Sequence, residues 1–311
     1  MKKGIIGIDI GGTNIRAALV FGRHMKHRLN IESHARFGID RSIQQIHSAV
    51  ARLHKHASAI GIGIAGIIDS RAGVVRYSPN LKGWNNVPLA RMINQTFRLP
   101  TRVLNDVNAI CLGEWTFGAA KGYRNVFLFT LGTGVGGAAI CEGKLLVGAN
   151  GFAGEFGHTT IDPAGPKCIC GQQGHLERYV GAKYIVARYR NKLKRQRSSS
   201  IRLQNLTPEK IAVAAKKGDQ IALEVFSETG YYIGVGVANI LALLDPDIVI
   251  ISGGIARAGR ILMDPIRKTA SRLVLGAEHR RYKIVAARLG DDAGILGAAL
   301  FAKSATKNRK V

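Results

Sequence analysis

Residues 4–21 read GIIGIDIGGTNIRAALVF. Gly4 to Ile10 is an apolar run of strand length whose one charge, Asp9, lies at its end. Gly11-Gly12-Thr13-Asn14 is a tight turn, and Ile15 to Phe21 is apolar again, so the segment predicts an antiparallel hairpin. Residues 126–141, VFLFTLGTGVGGAAIC, repeat the theme. Val126 to Leu131 reads as a strand, Gly132 to Gly137 as a glycine-rich turn, and Ala138 to Cys141 as a returning strand. Two copies of one opening predict duplicated domains facing across a cleft.

The 311 residues set a prior of about two domains at roughly 150 residues each. Apolar residues make up 46% and charged residues 21%, which fits a folded globular chain and excludes disorder. The 38 glycines cluster, which points to backbone-lined sites. A net charge of +25 predicts attraction to anions such as nucleotides, nucleic acid, polyphosphate or anionic lipid. Met1-Lys2-Lys3 leads into the first strand with no small-residue cleavage site, so no signal peptide is expected. The longest mostly apolar run, Tyr231 to Leu244, is 14 residues, too short to span a bilayer. Four cysteines in a chain of this size do not make a secreted disulfide scaffold, and a reducing, cytoplasmic setting is expected.

Outward from the first hairpin, Ile43, Ile46, Val50 and Leu53 recur at helical spacing, with Asp40 placed to cap. Ala59 to Ala65 reads as a strand, a polar hairpin lies around Asp69 to Gly73, and Ser78 to Trp84 is a loop by its turn residues. Thr101 to Leu104 is a short strand, followed by Asn105-Asp106 and a helix to about Phe117. Past the second hairpin, Thr207-Pro208 is a capped helix start. Asp219 to Leu244 reads as one long helix, Asp247 to Ser252 as a strand, and Gly253-Gly254 as the opening of another helix. Lys283 to Ala287 is a last strand, and a final helix runs from about Asp292 to Lys303 into a basic tail. Arg188 to Arg202, with seven Lys or Arg, reads as a helix end and a solvated loop. Strands alternating with helices make the fold class α/β.

Four places carry chemistry. The two glycine turns can bring backbone N–H groups against phosphate oxygens, with Thr13 and Thr133 adding hydroxyls. Asp9, at the mouth of the first turn, suits a hydrated Mg²⁺ beside phosphates, or simply caps the turn. Asn105-Asp106 is by local sequence a capping pair, while its carboxylate is also placed to act as a general base. The densest cluster is Glu155-Phe156-Gly157-His158 followed by Cys168-Ile169-Cys170-Gly171-Gln172-Gln173-Gly174-His175-Leu176-Glu177. His158, Cys168, Cys170 and His175 offer two sulfurs and two imidazoles, the donor set of a closed structural Zn²⁺ site. Such a site would order the loops carrying Glu155 and Glu177, whose carboxylates suit a polyol. Six of the nine histidines lie between His24 and His56 without ligand spacing and read as surface residues. Cys111 and Cys141 read as small buried hydrophobes.

In these motifs, in this order, the chain resembles the ROK family of bacterial sugar kinases and related repressors, within the actin-like ATPase superfamily. The resemblance runs from Gly4 to about Ala302 and is carried by Asp9 to Asn14, Asn105 to Ala109, Leu131 to Gly137, Gly154 to His158, the Cys168 to Glu177 box and Ser252-Gly253-Gly254. It implies two actin-like (ribonuclease H-like) domains flanking a cleft. Residues 1–118 would form the first, joined by a C-terminal helix at about 298–311, and residues 119–297 the second, with the zinc box inserted. It implies ATP and Mg²⁺ bound through Asp9, Gly11, Gly12, Thr13, Asn14, Gly132, Thr133 and Gly134, with Gly253 and Gly254 near the adenosine. Asp106 would be the catalytic base. Asn80, Asn105, Asp106, Glu155, His158 and Glu177 would contact the sugar, and His158 would also bind Zn²⁺. The implied activity is phosphorylation of a hexose at its 6-hydroxyl, glucose first, as in glucokinase-like members, which share the Ser78 to Trp84 loop. N-acetylhexosamine kinases (GlcNAc or ManNAc), polyphosphate-using glucokinases and non-catalytic sugar sensors are the alternatives. The usual zinc box has cysteine where this chain has His175, a departure that bears on the metal. The family's repressors carry a DNA-binding domain ahead of the first phosphate motif. With Asp9 so near the start, none is expected here, nor any specific nucleic acid or membrane partner. A homodimer is the family expectation.

Overall fold

In the computed structural model, which describes residues 3–79, 81–196 and 205–307, the first glycine turn closes an antiparallel pair. Strands β1 (Gly4–Ile10) and β2 (Asn14–Phe21) pair with Ile10 opposite Ile15 and Asp9 opposite Arg16. A third strand, β3 (His24–Glu32), extends the hairpin at the sheet edge. Its sequence, HMKHRLNIE, lacks the apolar alternation of its neighbours, and an exposed edge strand is where charge is tolerated. Helix α1 (Ile39–Ala51) follows, then β4 (Ala57–Ile64), β5 (Ile67–Asp69), β6 (Val74–Tyr77), β7 (Asn85–Val87), α2 (Leu89–Phe97), β8 (Thr101–Asn105) and α3 (Asp106–Phe117). The main sheet has the order β3-β2-β1-β4-β8, with β4 and β8 parallel to β1 and to each other's registers.

Period-two patterning explains the layers. Ile6, Ile8 and Ile10 of β1 and Ile60, Ile62 and Ile64 of β4 enter one core with Ile46 and Val50 of α1. On the other face Gly7 and Gly61 carry no side chain, because the backbone of the C-terminal helix (Asp292–Lys307) lies directly on them. A Cβ on Gly61 would sit 1.9 Å from the Ala298 carbonyl oxygen, and one on Gly297 would sit 1.7 Å from that of Ala109. Part of the glycine excess therefore serves helix packing rather than ligand sites. Glu114, fully buried on α3, secures the same layer. Its carboxylate accepts from the backbone N–H groups of Ala119 (2.8 Å), Arg288 (2.9 Å) and Leu289 (2.7 Å). Losing it would leave three part-buried N–H donors without their shared acceptor.

The remaining elements are β9 (Val126–Leu131), β10 (Val135–Cys141), β11 (Lys144–Leu145), α4 (Leu176–Val180), α5 (Ala182–Gln196), α6 (Pro208–Lys216), α7 (Gln220–Leu244), β12 (Ile248–Ser252), α8 (Arg260–Leu273) and β13 (Lys283–Ala286). Their sheet has the order β11-β10-β9-β12-β13, again an antiparallel hairpin followed by two parallel strands. Thr207 caps α6 and Asp219 caps α7, each side chain accepting a first-turn N–H. Phe226, Ile233, Val237 and Leu241 bury α7 along its length. No helix among the described residues is long and apolar enough to cross a membrane.

The chain divides into two units: Met1–Gly122 with Leu145–Ala153 and Arg288–Val311, and Tyr123–Lys144 with Gly154–Ala287. Glu114 and the glycines under the C-terminal helix tie the chain from Arg288 onward into the first unit. Some expectations change in detail. Asp40 stands inside the first turn of α1, where its charge suits the helix dipole, and Gly38 is the N-cap. The second glycine turn spans only Gly132 to Gly134, since Val135 to Gly137 already belong to β10. Gly253-Gly254 leads into a short 3₁₀ turn (Ile255–Ala258), and α8 begins only after Gly259. Arg188 and Lys192 are not solvated: Arg188 donates to Thr229 and the Tyr179 carbonyl and pairs with Glu228, and Lys192 pairs with Glu224 and Glu228 on α7. Residues 197–202 of that basic stretch lie outside the described residues.

Candidate functional site

In the first unit the carboxyl ends of three parallel strands line up, Ile10 beside Ile64 and Ile64 beside Asn105. That edge is where open α/β sheets bind ligands. Gly11 N–H donates to the Asn14 carbonyl at 2.9 Å, which closes the first bend and leaves Gly12 and Thr13 exposed at its tip. Ser33, fully buried, fixes the bend from behind. Its hydroxyl donates to the Gly12 carbonyl (2.8 Å) and its N–H to that of Thr13 (2.8 Å). Nothing in local sequence marks Ser33, because β3 is what delivers it.

Asn105 and Asp106 end β8 and begin α3. Asn105 is the N-cap: its Oδ1 accepts from Val107 and Asn108 N–H, and its Nδ2 donates to the Gly66 carbonyl. The capping reading is thus correct for Asn105, and most of its hydrogen-bonding capacity is taken up within the fold. Asp106 takes the first helical position, with Oδ1 3.0 Å from Val107 N. Asp9 lies close enough for the two charges to interact. Burial first, and then the Asp106 charge, push the Asp9 carboxyl from its usual 3.8 up to about 7, with Asp291 adding to the rise. Arg16 opposes it from 3.9 Å and reaches Asp291 at 3.5 Å. Arg16 and Asp291 escaped the sequence reading, although the hairpin register that places Arg16 opposite Asp9 follows from the turn. Asn80 lies outside the described residues. Its loop is anchored by Leu81 and Trp84, both buried, and by Ser78 N–H donating to the Trp84 carbonyl.

In the second unit the Gly132–Gly134 bend follows β9, and Gly253 follows the adjacent parallel strand β12. Gly253 has φ +92°, and a Cβ there would lie 2.2 Å from the Leu131 carbonyl oxygen, so only glycine lets the two strand ends meet. Ala182 N–H, opening α5, donates to the Gly132 carbonyl at 2.9 Å.

His158, Cys168, Cys170 and His175 do converge. Their donor atoms all lie within 4.8 Å of one another, with Cys170 Sγ 3.2 Å from His175 Nδ1 and the two Nδ1 atoms 3.4 Å apart. Bonds of about 2.0–2.3 Å to one tetrahedral Zn²⁺ require such spacing. Burial, and then His158, lower the His175 pKa, which keeps the imidazole in the neutral, ligating form. His175 is also the N-cap of α4, so the cluster adjoins Glu177. Glu177 is nearly buried, and its Oε2 accepts from Val135 N–H at 3.1 Å. Glu155 stays accessible at the rim, its carboxyl raised first by desolvation and then by Glu177, against the pull of His158. Six of the expected residues thus gather in this unit around one helix start: Glu155, His158, Cys168, Cys170, His175 and Glu177.

Comparison with known proteins identifies the family. The ROK family profile matches residues 5–305. A glucokinase from Thermotoga maritima is 36% identical over 97% of this chain and 98% of its own length. The crystal structure of a ROK family glucokinase from Streptomyces griseus, in complex with glucose and AMPPNP, superposes with a TM-score of 0.86. It shares 34% identity over 97% of this chain and 99% of its own. A xylose repressor from Caldicellulosiruptor bescii is 32% identical over 94% of this chain, which spans 76% of that repressor.

The Asp9 environment sets a pH dependence. Between about pH 4 and 7 the folded chain holds a proton that the unfolded chain has released, so stability falls as pH rises through that window. In metal-free buffer Asp9→Asn is expected to melt above the wild type at pH 8 and close to it at pH 4. Equal melting temperatures of the two at pH 8 would contradict the assignment.

Proposed function

The chain belongs to the ROK family, and on that premise we propose that it is an ATP-dependent sugar kinase that phosphorylates glucose at the 6-hydroxyl. The observation that carries the reading is Asp106 at the start of α3, beside Asp9 and the first glycine bend, on the sheet edge where such a reaction is run. Asp106 accepts the proton of the sugar's primary hydroxyl as that oxygen attacks the γ-phosphoryl group in line. In the first unit, the amides of the Gly11–Thr13 bend offset the charge spreading over the transferred group. Gly253 and Gly254 lie beside the nucleotide's adenosine end. Asp9 would hold Mg²⁺, which would supply further charge neutralisation. In the second unit, Glu155 and His158 bind sugar hydroxyls.

His158, Cys168, Cys170 and His175 would hold a structural Zn²⁺ with no open position, and His175 in place of a cysteine keeps the four-donor count. The metal would fix the loop that carries Glu155 and the start of α4. Elemental analysis of the purified chain, without chelator, is expected to give close to one zinc per chain, and less than one-tenth would remove the site.

Asp106→Asn is expected to keep sugar affinity within a few-fold while kcat falls by about a hundredfold or more, the usual share of a general base. Near-normal turnover by that variant would take Asp106 out of the role.

A further inference from the structure

Glu177 sits where two motifs meet. It is the second residue of α4, whose N-cap is His175 of the sulfur–imidazole cluster. Its carboxylate points toward the second glycine bend. Oε2 accepts from Val135 N–H at 3.1 Å, directly after the bend. A Cβ on Gly134 would lie 2.4 Å from the same oxygen, so a side chain there would have to push the carboxylate aside. The same short helix holds the other side of the bend through the chain that leaves it. Gly181 N–H donates to the Glu177 carbonyl, and Ala182 N–H donates to the Gly132 carbonyl, both at 2.9 Å. The bend is thus held at one end by Glu177 of α4 and at the other by Ala182, the first residue of α5, two residues beyond the end of α4, and α4 starts from the cluster.

We infer that Glu177 is a positioning residue for the Gly132–Gly134 bend, through which the His158/Cys168/Cys170/His175 cluster sets the shape of a phosphate-binding loop. This rests on the kinase reading, since it takes that bend to bind nucleotide phosphates. The backbone amides of a three-residue bend converge on an oxygen only while both of its ends are fixed. A charge-assisted bond from Val135 N–H into a nearly buried carboxylate is strong enough to fix one end. A role confined to holding sugar hydroxyls would leave the contact with Gly134 unexplained.

The test measures equilibrium binding of AMPPNP with Mg²⁺, and separately of glucose, by calorimetry on the full chain. The variants are Glu177→Gln, Glu177→Ala and Gly134→Ala. Glu177→Gln keeps an oxygen acceptor for Val135 N–H and is expected to hold AMPPNP within about threefold of the wild type. Glu177→Ala removes the acceptor and is expected to weaken AMPPNP about tenfold or more. Gly134→Ala leaves Glu177 in the chain but pushes on its carboxylate, and is expected to weaken AMPPNP similarly while glucose affinity stays within about threefold. That third variant keeps the test valid if Glu177→Ala folds poorly. Unchanged AMPPNP affinity in both alanine variants, with only glucose weakened at position 177, would overturn the inference and leave the kinase reading standing. A wild-type chain that binds no AMPPNP would overturn both.

Discussion

Parallel strands in register bring the residues that follow them to one edge, and in both units of this chain glycine is among those residues. In the first unit Ile10, Ile64 and Asn105 stand in register, so the residues next to them, Gly11 and Asp106, emerge at one edge. In the second, Gly253 closes against Leu131, so the bend after β9 and the turn after β12 share an edge. The same economy operates on the sheet faces. The alternation of isoleucine and glycine in residues 60–64 buries one face in a branched aliphatic core and lets a helix backbone rest on the other. Asp9 stands near the end of β1 and Asp106 at the first position of α3.

Electrostatics sharpens the site. In a chain of net charge +25, carboxylates are few, yet Asp9, Asp106 and Asp291 interact within one unit and Glu155 and Glu177 within the other. Grouped acids repel one another, and burial raises the cost, as the Asp9 carboxyl shows. Arg16 offsets part of that cost. What remains is strain that a bound cation would relieve. The basic residues elsewhere are in part structural: Arg188 and Lys192 pin α5 to α7, and Arg280 reaches the Leu241 carbonyl and Asp245.

Much of this was legible in the residues alone. Both hairpins, the strand before Asn105, the capped start at Thr207, and the convergence of the two cysteines with two histidines follow from spacing and turn chemistry. β3 was not legible, because an exposed edge strand rich in Lys, Arg and His carries no periodic signal. Ser33 was lost with it. Glu114 was lost for the opposite reason: a single glutamate in an apolar helix shows its meaning only when three distant N–H groups arrive at its carboxylate. Glu177 was read as a ligand for a polyol, and the spacing could not show that one of its oxygens is already held by the backbone after the second bend.

The central claim is that the chain moves a phosphoryl group from ATP to a hexose. It is tested most directly by ADP release, coupled to an absorbance readout, with glucose, mannose, fructose, GlcNAc and ManNAc as acceptors and polyphosphate as a parallel donor. The account expects ADP to form in step with phosphorylated sugar, fastest with glucose, and to require added Mg²⁺. Sugar binding seen by calorimetry, with no ADP formed from any of the five acceptors, would contradict it.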